Sequence, residues 1–237
     1  MPERFSASVA GKQMACHASA NLELAIPGYV APVEDRTADT AANRGSNMHE
    51  DFAKIMAYSP HDLAMMVKAQ QYILTLRQSR RFKVLIEQSI KATWLAGAPD
   101  TTVDLVLYTQ DEIHVIDLKT GRIRVEVAGN SQLLYYAVSF AHLAPKAKGV
   151  TLHIVQPWAD NCESWFASTN ALGKYMADAQ AAEAAIIKGD TSFNPGDHCM
   201  FCPAFPHARG LKGSAMCPVT LQLLYPHQVD EDEILAL

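Results

Sequence analysis

The sequence predicts an α/β protein: a small mixed β-sheet flanked by helices, followed by an irregular, cysteine-containing C-terminal module. Three observations carry that prediction. Apolar residues recur at helical spacing through residues 62–81. The period then shifts to strand-like runs from Phe82, and beyond Thr191 the chain turns to Pro, Gly and Cys. Of the 237 residues, 49% are hydrophobic and 19% charged, which is ordinary globular composition and enough for one elaborate domain. No apolar run approaches the roughly 18–20 residues of a membrane span. The first residues, MPERFSASVAGKQMAC, lack the basic-then-apolar order of a signal peptide. A cytoplasmic location is therefore expected, and there the five cysteines are not expected to form a disulfide framework. The net charge of −5 gives no global argument for nucleic-acid binding. Charge is uneven, however: LRQSRRFK (76–83) concentrates four basic residues, and the chain ends in the acidic DEDEILAL.

Taken in order, residues 17–45, with Pro27, Gly28 and Pro32, read as a long, partly ordered loop. MHEDFAKIMAYS (48–59) reads as a helix ending near Pro60. The run Ser59-Pro60-His61-Asp62 can cap a second helix, DLAMMVKAQQYILTLRQSRR (62–81). FKVLIEQSIKATWL (82–95) reads as one strand or two. TTVDLVLY (101–108) and EIHVIDLKTG (112–121) form a hairpin across Thr109–Asp111, with RIRVEVA (122–128) extending or following it. SQLLYYAVSFAHLA (131–144) is a helix, GVTLHIVQP (149–157) a strand closing the sheet, and residues 170–188 a long alanine-rich helix. We read a single domain, 1–237, with a core over about 45–190, an N-terminal segment 1–44 and a C-terminal module 191–237.

The chemistry concentrates in HVIDLKTG (114–121). Asp117 and Lys119 stand at i and i+2 on a strand and so point to one face. Burying either charge without a partner costs several kcal/mol. Asp104, on the preceding strand, lies where a hairpin brings its carboxylate beside that of Asp117. Two close carboxylates repel unless a cation sits between them, and a hard divalent ion such as Mg²⁺ or Mn²⁺ suits oxygen ligands. Lys119 would then offset charge that develops nearby.

A carboxylate followed by D-x-K on a strand hairpin resembles the PD-(D/E)XK nucleases. Gln132 and Tyr136 form a Q-x-x-x-Y pattern at the start of the next helix, which is similar to the third motif of the RecB-like branch. His49, in GSNMHEDF, matches that branch's G-x-x-x-H element. The likeness covers roughly residues 45–140. It implies a restriction-endonuclease-like core and a metal site of His49, Asp104, Asp117 and the backbone carbonyl of Leu118. It also implies a catalytic Lys119, with Gln132 and Tyr136 supporting the site or contacting DNA, and Glu87 as a further candidate. Asp100, in GAPD, matches the letters of the motif better, but Asp104 sits inside the apolar strand and is preferred.

Cys199-Met200-Phe201-Cys202 is a C-x-x-C, followed by Cys217, with Cys16 near the other chain end. One remote N-terminal cysteine and a C-terminal trio resemble the iron–sulfur branch of RecB-like nucleases, the CRISPR-associated and AddB types among them. There a [4Fe–4S] cluster joins the chain ends. The gap from Cys202 to Cys217 is longer than is usual in that branch. Zinc held by Cys199, Cys202, His207 and Cys217 is the alternative, with Cys162 a spectator either way. The resemblance implies metal-dependent hydrolysis of DNA phosphodiesters. We expect an exonuclease favouring single-stranded DNA, in recombination, repair or phage DNA processing. No phosphate-binding G-x-x-x-x-G-K-[ST] loop is present, so ATP use would come from a helicase or recombination partner. The alternatives are a non-catalytic DNA-binding or assembly subunit and a zinc-knuckle nucleic-acid binder.

Overall fold

A strand buried on both faces runs through the middle of the sheet. In the computed structural model, which describes residues 5–30, 60–78, 80–97, 100–205 and 217–219, this is Ile113–Leu118. The predicted helix 48–59, His49 and His207 lie outside the described residues. The chain divides into two compact units. One comprises Asp35–Thr93 and Asp100–Met176; the other comprises Met1–Glu34, Trp94–Pro99 and Ala177–Leu237.

The first unit holds a five-stranded mixed sheet in sequence order: β1 (Lys83–Lys91), β2 (Asp100–Tyr108), β3 (Ile113–Leu118), β4 (Gly149–Gln156) and β5 (Asn161–Ser168). All neighbours are antiparallel except β3 and β4, which run parallel. Parallel neighbours need a crossover, and a helix over Ser131–Phe140 supplies it. The β2–β3 turn closes on Thr109, whose hydroxyl accepts from the N–H groups of Asp111 and Glu112 at 3.2 and 3.1 Å. On one face of the sheet lies the helix Pro60–Arg77, whose Ala69 is buried with Leu105, Leu107, Ile116 and Val155. Trp158 Nε1 also donates to Asp62 Oδ1 of that helix at 3.1 Å.

Two expectations are corrected here. Residues 122–128 form no strand, because Gln156 and Asn161 take up the backbone groups of that segment. The sheet does not close at β4 either. NCESWFAS adds β5, an edge strand that buries only part of each residue pair and so lacks the apolar run of its neighbours.

In the second unit helix α1 (Ala7–Ala15) comes first, and a 3-10 turn (His17–Ala20) and the short helix α2 (Leu22–Ala25) replace the loop expected over 17–45, as far as Val30. With them the helices of the sheet unit become α3 (Pro60–Arg77) and α4 (Ser131–Phe140), and α5 is Thr169–Ile187. Buried Asn21 donates to the carbonyls of Ile186 and Asp190 at 3.3 and 2.9 Å, and His17 Nδ1 lies 2.9 Å from Asp190 Oδ2. The carboxylate of Glu183 accepts from the N–H groups of Ala96 and Gly97, each at 2.8 Å. Among the described residues no helix is long and apolar enough to cross a membrane.

A polar chain runs under α3. Arg80 pairs with Glu112 at 2.9 Å, Glu112 Oε1 meets His114 Nε2 at 2.9 Å, His114 Nδ1 meets His153 Nε2 at 2.9 Å, and His153 Nδ1 meets the Tyr72 hydroxyl at 3.0 Å. A carboxylate only accepts, so with both rings neutral every proton in the chain is assigned in one direction, from Tyr72 toward Glu112. Burial, then the neighbouring His114, pushes the His153 pKa down to about 3. An unfolded imidazole titrates near 6.5, so below about that pH the unfolded chain binds a proton the folded chain refuses. The stability that neutral His153 contributes is complete above pH ~6.5 and is lost as the pH falls toward ~3. Urea unfolding should therefore lose about 2–3 kcal/mol between pH 7 and 4.5 from this group. His153→Gln should lose less over the same interval.

Candidate functional site

The hairpin register builds the site. Leu105 pairs with Ile116, so one further step sets Asp104 opposite Asp117. There the Asp104 side chain takes over from the backbone ladder: its Oδ2 accepts from the Leu118 N–H at 2.6 Å. Asp117 is 3% exposed. Its buried Oδ2 receives no directed hydrogen bond but has the ammonium of Lys119 at 2.8 Å, so the contact is ionic in character. Lys119 lies just past β3, where its own N–H donates to the Val155 carbonyl at 2.9 Å.

The crossover helix supplies the other wall. Gly129, at φ +68°, turns the chain in a conformation that favours glycine, and Asn130 then caps α4 by accepting from the Leu133 N–H at 3.1 Å. With the helix started there, Gln132 and Tyr136 stand one turn apart on one face. Gln132 Oε1 accepts from Lys119 Nζ at 2.7 Å, and Gln132 Nε2 donates to the Tyr136 hydroxyl at 3.2 Å. Burial, followed by the carboxylates of Asp117 and Asp104, raises the Tyr136 pKa to about 12, with hydrogen bonds from Gln132 and Thr101 acting the other way. Tyr136 is therefore a neutral phenol at physiological pH.

Asp104, Asp117, Leu118, Lys119, Gln132 and Tyr136 thus come together. Asp100 does not: it is exposed at the start of β2, in register with Lys91. Glu87 is an exposed residue flanked by the pairs Ile86–Leu105 and Gln88–Val103, which sets it level with Asp104. Its φ of +46° lies in the left-handed region, which residues other than glycine seldom adopt. In the basic run, Arg80 is taken by Glu112, and Lys83 lies 5.9 Å from the centre of the Tyr108 ring. The reading of the sequence passed over Gln156 and Asn161. Both are fully buried amides, and a Gln ending an apolar strand was their one signal.

All five cysteines are free thiols, and four of them, Cys16, Cys199, Cys202 and Cys217, belong to the other unit. Cys16 follows α1, Cys199 lies in a 3-10 turn (Asp197–Phe201), and Cys202 ends that turn by donating its N–H to the Cys199 carbonyl at 2.9 Å. Cys202 and Cys217 pack on the same small core of Leu22, Ile26, Tyr29 and Ala204. Burial pushes the Cys202 thiol up, and Cys217 and Cys16 add to that while Lys12 opposes it. Cys162 is in β5.

Among the described residues no three His, Cys, Asp or Glu side chains are arranged to hold an ion. The donor sets nevertheless fit the expected groups in kind. A buried carboxylate oxygen lacking a directed hydrogen bond, next to a second carboxylate, suits a hard cation. Cys202, with Cys16 and Cys217 near enough to act on its thiol and Cys199 in C-x-x-C spacing, is a donor set of the kind a thiolate-bound centre uses.

The sequence model of one protein family, described as "Protein of unknown function (DUF2800)", matches residues 15–237. A solved structure titled "Crystal structure of SSO0001" is 14% identical, covering 90% of this chain and 98% of that one, with a TM-score of 0.36.

The ion pair makes a prediction about stability. Lys119→Met leaves Asp117 buried without its counter-charge and should cost about 2 kcal/mol, less than for a fully buried pair because the Lys119 side chain keeps 28% exposure. Adding Asp117→Asn should recover most of that loss. Urea unfolding of the two single variants and the double variant measures it.

Proposed function

The chain belongs to the DUF2800 family, whose function is not established, and from the geometry of the site we propose that it is a divalent-metal-dependent deoxyribonuclease. One observation carries the reading: two strands and one helix bring Asp104, Asp117, Lys119, Gln132 and Tyr136 into a single connected group. Structural ion pairs need no such company. The order of these residues and their placement at a hairpin and the following helix resemble the RecB-like PD-(D/E)XK nucleases, and we assign the core to that fold on this basis.

Asp104, Asp117 and the Leu118 carbonyl, with His49, would hold Mg²⁺ or Mn²⁺. A bound ion of that kind supplies an acidified water and offsets phosphate charge. The chain's own contributions follow from the contacts. Lys119 places a positive charge beside the carboxylate pair, where it offsets charge on the phosphate oxygens. Gln132 gives its ammonium a second anchor, so Lys119 remains oriented when Asp117 is engaged by a cation. Tyr136, held neutral, donates a hydrogen bond and does not act as a base. The substrate is DNA, single strands favoured, and the reaction is exonucleolytic. A helicase or recombination protein is the partner we would look for. In the other unit Cys16, Cys199, Cys202 and Cys217 would hold a [4Fe–4S] cluster, with zinc as the alternative metal.

End-labelled single- and double-stranded DNA incubated with Mg²⁺, Mn²⁺ or EDTA tests the reading. The wild type should degrade DNA only with metal, and folded Lys119→Ala should be at least about a hundredfold slower. A folded, metal-loaded wild type that leaves DNA intact would reject the nuclease in favour of a DNA-binding subunit. Protein purified without air should be brown and carry on the order of four irons per chain, and Cys202→Ser should be colourless. Zinc at unit stoichiometry in colourless wild type would select the other metal.

A further inference from the structure

The segment after Lys119, Gly121–Val125, is held by an arrangement that the catalytic reading does not use. Gln156 ends β4 with its side chain wholly buried, and all of its amide bonds go to this segment or to its second anchor. Its Nε2 donates to the carbonyls of Gly121 and Ile123 at 2.8 and 2.7 Å. Its Oε1 accepts from the Val125 N–H at 3.0 Å and from Asn161 Nδ2 at 3.1 Å, and the same Asn161 nitrogen donates to the Val125 carbonyl at 2.9 Å. A fully satisfied buried amide fixes a backbone firmly, because each bond it lost would leave a buried polar group unpaired.

What that order presents is unusual for a mere connection. Ile123 is 72% exposed, so the clamp fixes the direction of an apolar side chain without burying it. Arg122 is exposed and, among the described residues, makes no ion pair or hydrogen bond. Arg124, by contrast, is tied to Glu126 and Glu163. An unengaged guanidinium and a bare aliphatic side chain therefore stand three and four residues beyond Lys119, on a backbone that will not have to be ordered when something binds. Pre-ordering of this kind lowers the entropic cost of association.

We propose that Gly121–Val125 is a preformed contact loop for a nucleic-acid strand, with Arg122 on a backbone phosphate and Ile123 against a base or sugar face. The occupant's identity rests on the nuclease reading; the loop's order and its two presented side chains do not. A guanidinium matches phosphate geometry, and an aliphatic side chain matches the apolar face of an unpaired base.

Binding of a fluorescein-labelled 20-nucleotide oligothymidylate, followed by anisotropy in EDTA across a salt series, tests the loop apart from cleavage. Arg122→Ala should weaken binding about three- to tenfold and make the slope of log K against log salt shallower by about 0.7, the value for one phosphate on a single strand. Ile123→Ala should weaken binding with the slope unchanged. Both positions are exposed, so loss of fold does not confound the result. Wild-type affinity and slope in both variants, or no binding by the wild type, would overturn the loop. If the variants bind like the wild type while the wild type cleaves DNA, the loop proposal fails and the nuclease stands. If binding depends on the loop while Lys119→Ala cleaves normally, the catalytic assignment fails instead.

Discussion

The interaction on which the rest depends is the buried carboxylate of Asp117 on β3. A strand covered on both faces has no room for an unanswered charge, so its neighbours are committed to answering it. Lys119 does so from just past the strand end, Gln132 holds Lys119 in place, and Tyr136 holds Gln132. The helix start at Gly129 and Asn130 matters because a shift of one residue there would turn Gln132 off the lysine. The site is thus one line of contacts running from strand to helix, an ion pair followed by two hydrogen bonds.

Most of this line was legible in the sequence because it follows two simple periods. The alternation of a strand puts Asp117 and Lys119 on one side, hairpin pairing brings Asp104 across, and the helical spacing of four brings Gln132 and Tyr136 together. Choosing Asp104 over Asp100 also follows from the apolar setting of the former. What escaped were elements whose stability is not written in apolar pattern. β5 is an edge strand with Glu163 and Ser164 in its middle, and 122–128 looks strand-like although its backbone groups are claimed by two buried amides. The helices over 7–15 and 22–25 are short and rely on long-range bonds such as those of Asn21 to residues 186 and 190. Sequence periodicity cannot report contacts between chain ends.

The two faces of β3 divide the polar load of the sheet. Asp117 belongs to the face under α4, whereas His114, three positions earlier, belongs to the face under α3, where it joins Glu112, His153 and Tyr72. On the first face the charges are kept. On the second, burial keeps His153 neutral. Each face is satisfied on its own terms, which allows a five-stranded sheet to carry so many buried polar groups.

Because side chains on β3 alternate strictly, the pairing of β2 with β3 is also an address system. Adding or deleting one residue in the Thr109–Glu112 turn would leave composition and hydrophobicity almost untouched, yet it would change which residue faces Asp104 and which faces Leu107. The carboxylate would swing toward the helix that now covers the imidazoles, and the imidazoles toward the one that now covers the carboxylate. The turn is therefore the most intolerant place in the sheet for length variation, though none of its residues touches the site. Homologues that differ there in length would be expected to have lost both constellations together.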